Sequence, residues 1–145
     1  MLGFLIAIAS GVLMSLQGVF NTNVTKASSI WTAAGFVQLS AFFVCVLAWL
    51  INDRQNPLRV FSVTPKYMLL GGVMGALITI TVVKSMERLG TANAIIVIVT
   101  AQTICGYLIE LLGAFGVDKK PFCWQRCLGA LLAIGGIVLF QCNNE

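Results

Sequence analysis

Long apolar runs alternate with short polar segments along the whole chain. Residues 2–20 and 30–51 carry no charge; residues 67–83 are uncharged up to Lys84, and residues 91–109 up to Glu110; residues 127–142 follow Arg126 and are again uncharged. A helix that crosses a bilayer needs roughly 20 mostly apolar residues, within a range of about 17–25. The runs are apolar all round, whereas barrel strands would alternate apolar and polar positions with period two. The fifth run is the shortest, and residues 122–126 extend it because an arginine at a helix end snorkels to the headgroups. The pattern therefore predicts an all-α membrane protein. It places five transmembrane helices at about 2–21, 30–51, 66–84, 91–111 and 122–142 of a single transmembrane domain, residues 1–145.

The expected connections are short: 21–29, 52–66, 84–90 and 111–121. None has room for a separate domain, so the protein's work lies in the bilayer or at its faces. Composition agrees. The chain is 59% hydrophobic and 10% charged, against about 25% charged in a soluble domain, which excludes a disordered chain and a disulfide-stapled module. The net charge of +4 comes from basic residues scattered between apolar runs; they form no patch for nucleic acid. A soluble helical hairpin could hide two such runs, but five leave no polar surface to cover them. The first run is read as a retained helix. No Lys or Arg precedes it, and it exceeds the signal-peptide core of about 7–15 residues.

Five spans put the termini on opposite sides. Arg54, Arg59, Lys66, Lys119, Lys120 and Arg126 collect on the N-terminal side; Lys26, Lys84 and Arg88 collect on the other. The bias favours a cytoplasmic N-terminus and a periplasmic C-terminus. It is modest enough to permit insertion both ways, or pairing with an oppositely oriented relative.

Amides and carboxyls in hydrocarbon are costly and therefore informative. Gln17 and Asn21 lie four residues apart on one face of the first helix, and Gln102, Gly106 and Glu110 share a face of the fourth. One reading is that these faces line a polar cavity, with Gln17, Asn21, Gln102 and, less directly, Gln38 contacting a small molecule. The other is interhelical hydrogen bonding, at about 0.6 kcal/mol per bond on average. Glu110 either carries protons or reaches the headgroup region from its helix end. Small residues give a second signal: Gly71 and Gly75 form a G-x-x-x-G, and Gly129, Ala133 and Gly136 recur at helical spacing. They allow close helix approach within one chain or between two. Cys123 and Cys127 are four apart, but the chain has no histidine, so no metal site, cofactor or Ser/His/Asp set is expected. An enzyme is not expected either.

The order Arg88-Leu89-Gly90-Thr91-Ala92-Asn93-Ala94, Ala101-Gln102, Glu110, Gly113, Phe115-Gly116, Pro121, Gly129-Ala130-Leu131 and Gly135-Gly136 resembles the YdcZ-type family. Gly11, Gln17, Asn21, Gly71-Gly72 and Gly75 fit the same pattern. These are short bacterial inner-membrane proteins of the drug/metabolite transporter superfamily. The family's acidic position in helix four is commonly Asp, where this chain has Glu110. The resemblance implies an exporter of small molecules and a five-helix chain equal to one half of an inverted-repeat, ten-helix transporter. Two oppositely inserted copies, or a copy and a homologous subunit, would complete it around a midplane site.

Two functions follow. The first is a secondary transporter of small polar metabolites or drugs, working by alternating access in an antiparallel dimer. Gly71, Gly75, Gly129 and Gly136 would form its sliding or dimer contacts, and Glu110 would be the candidate for proton coupling. The alternative is a small channel or an accessory subunit of a hetero-oligomeric transporter. The expected partners are a small-molecule substrate, the lipid bilayer and a second subunit, with no nucleic acid.

Overall fold

The computed structural model describes residues 1–141, the side chains of residues 53, 138 and 141 excepted. Five α-helices carry the chain: α1 (Leu2–Ala27), α2 (Ile30–Ala48), α3 (Gly71–Leu89), α4 (Thr91–Leu112) and α5 (Trp124–Gln141). No strand occurs among the described residues. Four helical segments are long and apolar enough to cross a membrane: Leu2–Ala27, Ile30–Asn52, Lys66–Leu89 and Thr91–Leu112. The fifth helix forms, but its 18 described residues stand outside that set, and Arg126 sits in its first turn. The expected helix end at 142, with Cys142, lies outside the described residues.

The chain divides into two compact units, one of Met1–Glu87 and one beginning at Arg88. In the first unit, α1 runs to Ala27 rather than stopping near 21. Residues 21–27 contain neither Gly nor Pro, and Thr22 bonds its hydroxyl to the Gly18 carbonyl within the helix, at 2.8 Å. Their polarity marks a helix end near the headgroups, not a loop. Ser28 and Ser29 alone make the turn. Ser29 caps α2, its hydroxyl accepting from the Thr32 N–H at 3.2 Å.

α2 ends in a π-turn over Trp49–Asp53, closed by Arg54 in the left-handed region at φ 44°. Two 3₁₀ turns, Pro57–Ser62 and Lys66–Leu70, then lead into α3, so the α-helix proper of the third span begins at Gly71. Its far end reaches Leu89, which makes most of the expected 84–90 connection helical. The interior of the unit is small and formed by small side chains: Gly18 and Asn21 from α1, Ala33 and Ala34 from α2, Thr79, Val83 and Met86 from α3 are buried. Outward faces carry large apolar side chains, with Phe4, Trp31, Phe36 and Phe42 all well over half exposed. Water would penalise such faces; lipid tails do not.

In the second unit, α4 ends at Gly113, whose φ of 65° gives a left-handed cap, its N–H donating to the Ile109 carbonyl. A 3₁₀ turn over Ala114–Gly116 follows. The chain then folds back, and the Lys120 N–H donates to the Glu110 carbonyl at 2.9 Å. Tyr107 ties the start of α5 to α4: its hydroxyl accepts from the Cys123 N–H at 2.9 Å and donates to the Cys123 carbonyl at 3.3 Å.

Candidate functional site

Each unit holds a cavity between two helices, and the polar positions singled out in the sequence are divided between them. The first cavity, about 510 Å³, lies between α1 and α2. Gln17, Asn21 and Ser40 supply its polar groups; Leu16, Val44 and other apolar side chains supply the rest. Helical spacing sets Gln17 and Asn21 one turn apart on the same wall. Asn21 is only 7% exposed, and its amide makes no hydrogen bond among the described residues. The buried side-chain atoms without a partner among the described residues are Thr25 Oγ1 and Asn93 Oδ1; the Asn21 amide instead lines the cavity, where it can meet a hydrogen-bonding guest. Ser40 is self-satisfied, donating to the Val37 carbonyl at 2.9 Å.

Gln38 stands apart from this cavity. Its side chain packs on Gly75 of α3, where a Cβ would lie 2.8 Å from Gln38 Nε2. Gly75 thus admits the amide of a neighbouring helix within the chain. A Cβ at Gly71, Gly129 or Gly136 would meet nothing within 4 Å among the described residues.

The second cavity, about 420 Å³, lies between α4 and α5. Gln102, Gly106 and Glu110 form one wall, and Arg126, Gly129 and Ala130 face them. Gly129 therefore opens cavity space. At one end stands a charge cluster. Glu110 Oε1 accepts from Lys120 Nζ at 2.9 Å, and Glu110 Oε2 accepts from Arg126 Nη1. Arg126 also lies over the Tyr107 ring, 5.8 Å from its centroid, within cation–π range. One carboxylate faces two cations, so the cluster carries a net positive charge. Two turns along α4, the exposed Gln102 amide has no hydrogen-bond partner among the described residues.

Tyr107, Arg126 and Ser40 were not among the expected site residues. Tyr107 directly follows Gly106 and is a polar handle inside an apolar run; that signal was readable. Arg126 was read only as a snorkelling helix end, because the fold-back that brings it to Glu110 is a tertiary feature. No group of three or more potential metal ligands occurs among the described residues.

No curated protein and no solved structure matches the chain significantly. Residues 2–139 match a family model described as "Putative inner membrane exporter, YdcZ". The match takes in all four membrane-length helices and nearly all of α5, together with both cavities. The chain belongs to the YdcZ family.

Proposed function

We propose that the protein is a secondary transporter that exports small polar molecules by alternating access, as an antiparallel pair of five-helix chains. Family membership supports export across the inner membrane. The observation that carries the rest is the pair of largely apolar cavities, each with a few polar groups in its lining: Gln17, Asn21 and Ser40 in one, Gln102, Glu110 and Arg126 in the other. A purely structural bundle has no use for the unpartnered amides of Asn21 and Gln102, whereas a transporter needs groups that bind in passing.

In this reading α5 is the fifth span, Arg126 near its start turns to Glu110 in the cavity, and the termini face opposite sides with the N-terminus cytoplasmic in the favoured orientation. Gly71 and Gly136 are the helix contacts left for a second subunit. Gln17, Asn21 and Gln102 contact the substrate, while Gln38 holds α2 to α3. Glu110 was the candidate for proton coupling; its two cationic partners favour a role in holding α5 and Arg126 in place.

The test is counterflow in liposomes reconstituted with the purified protein. Radiolabelled amino acids and polyols would be offered outside against the same compounds unlabelled inside. Uptake driven by the internal pool, and reduced at least about tenfold by Gln102→Ala, is the expected result; tenfold corresponds to about 1.4 kcal/mol. Flux that ignores the opposite compartment would make the protein a channel, and no flux without a co-expressed relative would make it an accessory subunit.

A further inference from the structure

We infer that the cavity between α4 and α5 is a carboxylate-binding site, in which Arg126 takes the anionic end of the substrate. The inference builds on the transporter reading by naming the chemical class that the site accepts. Arg126 lines the cavity. Only Nη1 of its guanidinium donates to a protein group among the described residues, and that group is Glu110. A guanidinium has five N–H donors in a rigid fork, so one edge anchors it and the rest remain for a guest.

The surroundings fix that fork rather than neutralise it. Glu110 holds one side, and the Tyr107 ring lies beneath at 5.8 Å. Lys120 pairs with the same carboxylate and so cancels the one negative charge. What the cavity offers an incoming molecule is therefore a positive charge at one end. Between its ends, Gly106 on one wall and Gly129 and Ala130 on the other present small apolar surface. The Gln102 amide, eight residues and about 12 Å along the helix axis from Glu110, is the uncharged donor and acceptor at the other end. A small molecule with a carboxylate, a slim apolar body and a neutral polar tail matches this layout. An organic cation does not, because the only carboxylate in the cavity is already doubly paired.

The probe is benzoate, with benzamide as its uncharged counterpart, titrated against the full-length protein in detergent by calorimetry. Wild-type protein should bind benzoate about tenfold more tightly than benzamide, as charge-assisted bidentate pairing to arginine implies. Arg126→Gln should erase the preference, and Arg126→Lys should retain part of it. Glu110→Gln, which removes the competing carboxylate, should tighten benzoate binding. Equal binding of the two probes by the wild type overturns the inference, whatever the variants do. So does benzoate binding that survives Arg126→Gln, or that weakens in Glu110→Gln while Arg126→Gln has no effect. The two readings fail separately: counterflow indifferent to a carboxylate sinks this inference alone, and benzoate binding without counterflow sinks the transporter alone.

Discussion

Gly18 shows how much a single position decides in a bundle with so small an interior. A Cβ there would stand 2.4 Å from the Met86 methyl and 3.0 Å from its sulfur. The Thr22 hydroxyl also lies 3.7 Å from that sulfur, so α1 and α3 meet where one helix has no side chain and the other has a flexible one. Gly18→Ala needs only a rotation of the methionine end. Gly18→Leu cannot be absorbed that way and should cost about 1–3 kcal/mol, the usual range for overpacking. Adding Met86→Ala should recover part of the loss, measured by unfolding in mixed micelles. An unchanged midpoint for Gly18→Leu would mean that α1 and α3 do not meet here. Gly18 stands three residues after Ser15 and seven after Gly11, a helical spacing of small residues, but that spacing does not give its partner, 68 positions away. Glu110 has the same character: its burden of charge was visible, and the identity of Lys120 and Arg126 as its holders was not.

At the scale of elements, existence and type were legible because a run without charge and without alternation has only one form in lipid. Boundaries were less so. Polar residues at 21–27 suggested a loop, yet the helix continues through them, because at the headgroup level a helix can end in polar side chains without unwinding. Residues 66–70 suggested α-helix and form a 3₁₀ turn behind Pro65. The return from α4 to α5 was read as a plain connection and is a built structure. Gly113 is its pivot: φ is 65°, and a Cβ would come within 3.1 Å of Lys119 Cβ. Gly113→Ala should therefore destabilise by about 1–2 kcal/mol, the cost of a left-handed L-residue. Thermal unfolding in detergent reads it, with Gly72→Ala as the comparison. Gly72 is helical and a Cβ there meets nothing within 4 Å, so that change should be neutral or stabilising. Equal losses at the two positions would contradict the cap.

At the scale of the whole molecule, the sequence set these amides within apolar helices, where the structure also has them, and expected them to share one cavity. In the structure Gln17 and Asn21 line one pocket and Gln102 and Glu110 another, because neighbours in the chain, α1 with α2 and α4 with α5, enclose their own spaces. Helix faces follow from spacing; which faces meet depends on packing that spacing does not encode. An antiparallel partner offers a way to use both pockets and to cover the open glycines. The five spans expected from the sequence, an odd number, and its modest charge bias would be consistent with it.

Topology tests that account most directly. In a cysteine-free background, single cysteines at Gln55 and Glu87, both exposed, would be labelled from outside intact cells with a membrane-impermeant maleimide. Both positions should react in comparable amounts, since chains inserted both ways present each site to the outside. Labelling confined to Glu87→Cys would fix every chain with its N-terminus inside and contradict the antiparallel pair of identical subunits.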